Sequence, residues 1–197
     1  MWNRKGRVFV ISAPSGSGKT TLCEKLIQGL GGKRKLVRSV SATTRKARRG
    51  ERQGRDYFFI SKGEFIKRRK ARRFLEWARV LGSFYGTPRE FVRKHIDCGA
   101  DVLLSIDVEG AMKIKRKTPR AVFIFILPPS FCELEKRLKR RSTESKREII
   151  RRLKLAEKEM GFVEEYDYVV LNDKLKPALK ELKRIVRRER NDKRCHM

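Results

Sequence analysis

Apolar and polar positions along the chain follow two alternating rhythms. Continuous apolar runs of strand length occur at residues 7–12, 36–39, 102–106, 122–127 and 168–171. Between most of them, apolar residues recur every three or four positions, which predicts helices over 19–30, 88–98, 109–117, 130–139, 146–161 and 176–189. In the last of these, Leu179, Leu182, Ile185 and Val186 form one stripe suited to packing on a sheet. Strands alternating with helices predict an α/β protein with a parallel sheet. Right-handed crossovers make it a doubly wound, five-stranded sheet with ligands at the carboxyl ends of the strands.

Two stretches break the rhythm. Residues 41–87 are polar, arginine-rich and aromatic, too long for a simple crossover, and predict an inserted subdomain. Residues 140–147 form a short, strongly basic gap between two helices. Long irregular insertions over such a sheet commonly serve as lids or binding flaps. The expected organisation is one domain over 1–197. Its core lies at about 4–40 and 88–190, the insertion at about 41–87, the lid at about 140–147 and a frayed tail at 191–197.

At 197 residues the chain is long enough to bury a full core, and its 39% hydrophobic content is adequate for it. Charge changes the picture more. Fifty-two Lys and Arg against 23 Asp and Glu leave a net +29, which implies attraction to polyanions: nucleotides, nucleic acid or an anionic membrane surface. The excess is spread along most of the chain, so it does not choose among them. The four cysteines, Cys23, Cys98, Cys132 and Cys195, lack metal-ligand spacing, and His95 and His196 are the only histidines. No secretory signal is expected at the N-terminus, and the longest apolar run, 121–127, is strand-sized rather than membrane-spanning. A reduced, cytoplasmic protein is expected.

The chemistry starts at Ala13-Pro-Ser-Gly-Ser-Gly-Lys-Thr-Thr21, between the apolar run 8–11 and a predicted helix. A strand, a glycine-rich loop and a helix in that order make a phosphate-binding loop. The glycines allow backbone N–H groups to turn toward phosphate oxygens, and the helix N-terminus adds positive partial charge. Residues Ala13, Pro14, Ser15, Gly16, Ser17, Gly18, Lys19, Thr20 and Thr21 are therefore candidates for ATP binding. Lys19 would reach the β/γ-phosphates and Thr20 would ligate magnesium. The strict pattern has Gly where Ala13 stands, a less demanding position than Gly16 and Gly18.

Downstream stand Ser39-Val-Ser-Ala-Thr-Thr-Arg45, Arg48-Arg-Gly-Glu51, Gly54-Arg-Asp-Tyr-Phe-Phe59, Phe74-Leu-Glu-Trp77 and Phe84-Tyr-Gly-Thr87. With the phosphate loop, these motifs resemble the guanylate kinases of the nucleoside monophosphate kinase group, over about residues 7–188. The resemblance implies Mg²⁺-dependent transfer of the ATP γ-phosphoryl to GMP or dGMP, giving ADP and GDP. It assigns Glu76 to the guanine N1–H and N2–H₂ donors, with hydroxyls of Ser41 and Thr87 around the base. It assigns Arg45, Arg48, Tyr57 and Tyr85 to the GMP phosphate, and Asp107 to orienting GMP. Arg137, Arg141 and Arg152 would close on the transferring phosphoryl as catalytic residues beside Lys19, and Asn172 would touch the adenine of ATP. ATP and GMP are then the partners, magnesium the cofactor, with no membrane and no obligate protein partner expected.

The chain departs from the family pattern at Ser105-Ile-Asp107, where Asp-x-Asp is usual. Ser105 brings no charge to the magnesium region, and Glu109, in place of the usual Gln, is a candidate to compensate. Ser142 replaces a lid glycine. Alternatives to the enzyme stay open at this point. They are a non-catalytic guanylate-kinase-like binding module, a kinase of the same fold with another phosphorylated acceptor, and a nucleic-acid binder using the run Lys67-Arg-Arg-Lys-Ala-Arg-Arg73. That run is expected to be a solvated helix face, with non-specific nucleic-acid association as a secondary property.

Overall fold

The computed structural model describes residues 6–30, 32, 34–118, 120–140 and 146–191. In chain order the elements are β1 (Val8–Ser12), α1 (Lys19–Gly29), β2 (Leu36–Arg38), β3 (Ala42–Thr43), β4 (Phe58–Phe59), α2 (Lys62–Lys70), β5 (Phe74–Val80) and β6 (Ser83–Pro88). There follow α3 (Arg89–Asp97), β7 (Asp101–Ser105), α4 (Val108–Lys117), β8 (Val122–Leu127), α5 (Phe131–Lys139), α6 (Lys146–Met160), a 3₁₀ turn at Val163–Glu165, β9 (Tyr168–Leu171) and α7 (Leu175–Asn191).

The central sheet has the order β2-β7-β1-β8-β9 and is parallel throughout. β1 lies at its centre, with Phe9 opposite Leu103 on one side and Val122 on the other. Strands of this kind are buried on both faces, which is why they read as unbroken apolar runs. Successive side chains point to opposite faces. Phe9 and Ile11 therefore join Leu22 and Leu26 of α1 and Leu182, Ile185 and Val186 of α7 in one core layer. Val10, Leu104, Phe123 and Phe125 form the other, with Val92 of α3, Ile114 of α4 and Tyr166. Each fully buried Leu, Ile or Phe contributes about 1.5–3 kcal/mol relative to exposure, so these layers supply most of the drive to fold. The α/β architecture and the five parallel strands agree with the sequence pattern, with ends shifted by a residue or two.

The insertion holds more regular structure than its sequence predicts. β4-β3-β6-β5 form a second, mixed sheet, with α2 beside it. Two of its strands are two residues long, too short to show an alternation. The hairpin β5–β6 turns at Leu81 and Gly82, both at positive φ (48° and 87°). Two positive φ values in a two-residue connection make the primed turn that suits strand twist, but Leu-Gly lacks the Asn-Gly signature. Phe65 anchors the small core, stacking on Phe74 and Phe84 at ring-centroid distances of 4.6 and 5.3 Å.

Candidate active site

A cleft of about 450 Å³ opens at the carboxyl ends of β1 and β7, between the central sheet and the small one. Its floor is the loop joining β1 to α1. Gly16 and Gly18 hold φ of +97° and +82°, a region L side chains rarely adopt. A Cβ at Gly18 would meet Asn172 Nδ2 at 2.5 Å, and one at Gly16 would meet Leu134 and Leu138 at 3.1 Å. Gly18 is the N-cap of α1, with no side-chain cap bond and no acid in the first turn. The first amides of α1 are thus left for an anion, with the helix dipole behind them.

Lys19 projects into the cleft and donates from Nζ to the Ile106 carbonyl at 2.6 Å. Burial pushes its pKa below the ordinary lysine value, against the pull of Cys23, Asp107 and Glu159. The same burial raises Glu159 to about 7, with Lys19 opposing and Asp107 adding to the shift. Asp107 N-caps α4 by accepting from Gly110 N–H at 2.9 Å, and lines the cleft with Ser105. Arg152 of α6 donates to Ser15 Oγ at 2.8 Å and to Glu148 Oε1 at 3.0 Å, tying that helix to the phosphate loop.

Across the cleft the small sheet presents Ser41, Arg45, Arg48, Tyr57, Glu76 and Tyr85. Glu51 grips Arg45 through two 2.9 Å bonds and accepts the Arg48 N–H at 2.7 Å. The Arg45 Nε donates to Tyr85 Oη at 3.3 Å, and its guanidinium lies 5.3 Å from the Tyr57 ring centroid. The Arg45 guanidinium is thereby held between the Tyr57 and Tyr85 phenols, and Arg48 lines the same space, an arrangement suited to phosphate. Glu76 is 4% exposed. Its Oε1 accepts from Thr87 Oγ1 at 2.6 Å, and Oε2 is buried without a hydrogen-bond partner. Oε2 lies so close to Gly110 that a Cβ there would sit 2.7 Å away. Burial raises the Glu76 pKa to about 7, with Thr87 opposing and Asp107 adding to the shift.

The structure brings most of the sequence-predicted residues into this one cleft, including Ala13, Pro14, Thr20 and Thr21, and places four elsewhere. Thr87 is fully buried and does not line the cleft, and its hydroxyl donates to Glu76 Oε1. Ser17 is buried in the loop, and Asn172 is buried beside it, donating from Nδ2 to Ser17 O at 2.6 Å. Asn172 therefore braces the phosphate loop from behind. Arg137 donates to Glu133 Oε1 and to Asn172 O, outside the cleft wall. Arg141 and Ser142 lie outside the described residues, as do Cys195 and His196. Glu109, the candidate to compensate for Ser105, pairs its carboxylate with Lys113 at 2.5 Å and does not line the cleft. Sequence reasoning missed Glu51, Glu148 and Glu159. Glu51 had a signal, since it closes the quoted Arg48-Arg-Gly-Glu51 motif; the other two look like ordinary helix acids.

Comparison with known proteins is specific. The family model described as guanylate kinase matches residues 5–189. A guanylate kinase of Caldanaerobacter subterraneus is 49% identical over 183 residues, covering 93% of this chain and 87% of the relative. One from Thermotoga maritima is 46% identical over 186 residues, covering 94% and 88%. The crystal structure of guanylate kinase from Anaplasma phagocytophilum superposes with a TM-score of 0.79 at 35% identity, covering 98% of this chain and 89% of that one. With a phosphate loop and a buried carboxylate facing one cleft, and this likeness along nearly its whole length, the chain belongs to the guanylate kinase family, enzymes that phosphorylate GMP with ATP.

Proposed function

We propose that Glu76 selects the guanine of GMP and that the loop 13–21 holds ATP opposite it, for direct in-line phosphoryl transfer. The observation that carries this reading is the unpartnered Oε2 of Glu76, buried in the same cleft as Lys19. Buried polar atoms are nearly always satisfied, so an orphan on a residue that lines a cleft points to a ligand donor. Guanine supplies donors at N1 and N2, whereas adenine would set a bare N1 lone pair against the carboxylate.

Arg45, Arg48, Tyr57 and Tyr85 take the GMP phosphate, with Glu51 holding the guanidinium of Arg45. Lys19 leaves the Ile106 carbonyl for the β/γ-phosphates. Arg152, with Arg141, neutralises charge that spreads over the transferring oxygens, where catalysis is mainly positioning and electrostatics. The acceptor phosphate is already anionic, so no general base is required. Thr20 on the cleft, with Ser105 and Asp107 beyond it, fits a magnesium ion that takes most ligands from water and phosphate. No group of three His, Cys, Asp or Glu among the described residues makes an all-protein metal cage. Thr20, with Ser105 and Asp107 nearby, would hold such an ion, which would supply positive charge to offset that of the phosphates. The subdomain 41–87 closes over the nucleotides as a flap, and the setting is cytoplasmic purine nucleotide metabolism.

The test is ADP release with ATP, magnesium and GMP, dGMP, AMP, CMP or UMP supplied separately. Turnover is expected with GMP and dGMP only. Comparable turnover with AMP would sink the role given to Glu76.

A further inference from the structure

We propose that a second cavity, walled by β5, the end of α2, the start of α3 and one face of α4, binds a small ligand carrying linked phosphate groups. The cavity is about 340 Å³, within the range of small-molecule sites. Arg69, Arg72, Arg89, Lys113 and Lys117 converge on it around Trp77. Among the described residues, only Lys113 of these five has a carboxylate partner, Glu109. The one acid in the wall, Glu76, has Oε1 held by Thr87, and its Oε2 is the atom assigned to guanine above.

Basicity alone does not explain this cluster. Elsewhere the helices pair cations with acids a turn away, as in Arg68–Glu64, Arg137–Glu133 and Lys139–Glu135. The carboxyl-end dipoles of α2 and α4 favour nearby cations by a few tenths of a kcal/mol, roughly, and do not require several to face one space. Two of the cations are held in place: the Arg69 guanidinium and the Lys113 ammonium each lie 4.9 Å from the Trp77 ring centroid.

Arg72 supplies an independent observation. It adopts φ of +53° just past the end of α2. Its N–H donates to Arg69 O, and that of Arg73 to Arg68 O, each at 3.0 Å. This pairing is the helix-terminating motif whose left-handed position belongs to glycine. A residue with a Cβ there costs about 1–2 kcal/mol. The chain keeps an arginine where the backbone asks for glycine, and that arginine lines the cavity. Strain held at one position, with its side chain facing a cavity, points to use. Several guanidinium and ammonium groups around a small volume match a compact, multiply charged anion, and guanidinium forks suit phosphate oxygens.

Trp77 is the reporter, since Trp2→Phe leaves it as the one tryptophan. With the nucleotide cleft saturated by ADP and GMP, at near-physiological salt, inorganic tripolyphosphate is expected to change Trp77 emission saturably. Arg72→Gly relieves the backbone strain, so it should fold at least as well and turn over ATP and GMP within about twofold of the parent. It should nevertheless weaken tripolyphosphate binding by about tenfold or more, as expected for loss of a charge-assisted hydrogen bond. Arg69→Gln should weaken it similarly. Lys180→Gln, which removes an exposed charge from α7, should leave it unchanged. The proposal is overturned by no saturable response in the parent, or by equal weakening in Lys180→Gln, which would mean diffuse attraction. It is also overturned if a short oligouridine binds more tightly than tripolyphosphate, which would assign the face to a nucleic-acid backbone.

Discussion

Two buried carboxylates stand at opposite ends of the molecule's logic. Asp101 begins β7, fully buried, and each of its oxygens is matched: Oδ1 accepts from Arg7 N–H at 2.8 Å and Oδ2 from Arg190 Nε at 2.7 Å. Arg34 adds a further contact at 3.4 Å. Glu76, almost as buried, has one oxygen satisfied and the other bare. The first arrangement is complete without a ligand and ties the N-terminal segment and α7 to the sheet. The second is complete only when something supplies a donor. Burial alone does not distinguish a structural acid from a functional one; the count of satisfied oxygens does.

The contrast breaks first at Asp101. Asp101→Asn should cost about 2–4 kcal/mol, because it turns an amide N–H₂ toward donors and leaves the half-buried Arg34 and Arg190 uncompensated. Chemical denaturation should register that loss, while kcat measured well below the midpoint stays near wild type. If Asp101→Asn instead raised KM for GMP at unchanged stability, the division between the two acids would be wrong.

Glu76→Gln should show the reverse. The amide turns donors toward guanine donors, and kcat/KM for GMP should fall about 10²-fold, roughly two good hydrogen bonds. A change below threefold in steady-state kinetics would remove Glu76 from recognition. The pH dependence sharpens the same point with a smaller effect. With Glu76 raised to about 7, protonation below that pH turns one of its two acceptor oxygens into a donor, which then faces a guanine donor. The free enzyme's kcat/KM for GMP should therefore decline by about tenfold per pH unit below about 7, and that fall should flatten in Glu76→Gln. The smallest effect belongs to Ser105→Asp, which should tighten magnesium by a few-fold, roughly the worth of one partly solvated charge pair. Magnesium titration of turnover, and of the ATP-bound protein by calorimetry, would measure it; no change in either would contradict the account.

The central sheet was legible because strands buried on both faces must be apolar throughout, as in Val122–Leu127. The phosphate loop was legible because its glycines answer a backbone requirement that local sequence exposes. The small sheet was not, since Ala42–Thr43 and Phe58–Phe59 are held by neighbours distant in the chain, such as Thr43 against Tyr85. Side-chain direction was the other gap. Thr87 is eleven residues from Glu76 in the chain, and only the pairing Glu76↔Thr87 across β5 and β6 shows that its hydroxyl donates to that carboxylate. Glu148 and Glu159 look in the sequence like ordinary helix acids. Their place beside the cleft depends on how α6 packs over the phosphate loop, which no local pattern encodes.

The measurement that tests the account most directly is thermal unfolding of wild type and Glu76→Gln at low and high pH, with and without GMP. The folded-state pKa of Glu76, about 7, lies above its ordinary 4.5, so the native state holds that proton more tightly than the unfolded chain. Stability from this source is full below pH 4.5 and is lost as pH rises through 7. At pH 8 the carboxylate thus costs about 2–3 kcal/mol, and Glu76→Gln should be the more stable protein by up to that amount. The difference should vanish in acid, and GMP should raise the midpoint of the wild type far more than that of the variant. A variant less stable than wild type at pH 8, or one that GMP stabilises equally, would contradict the claim that Glu76 is held buried and unsatisfied for guanine.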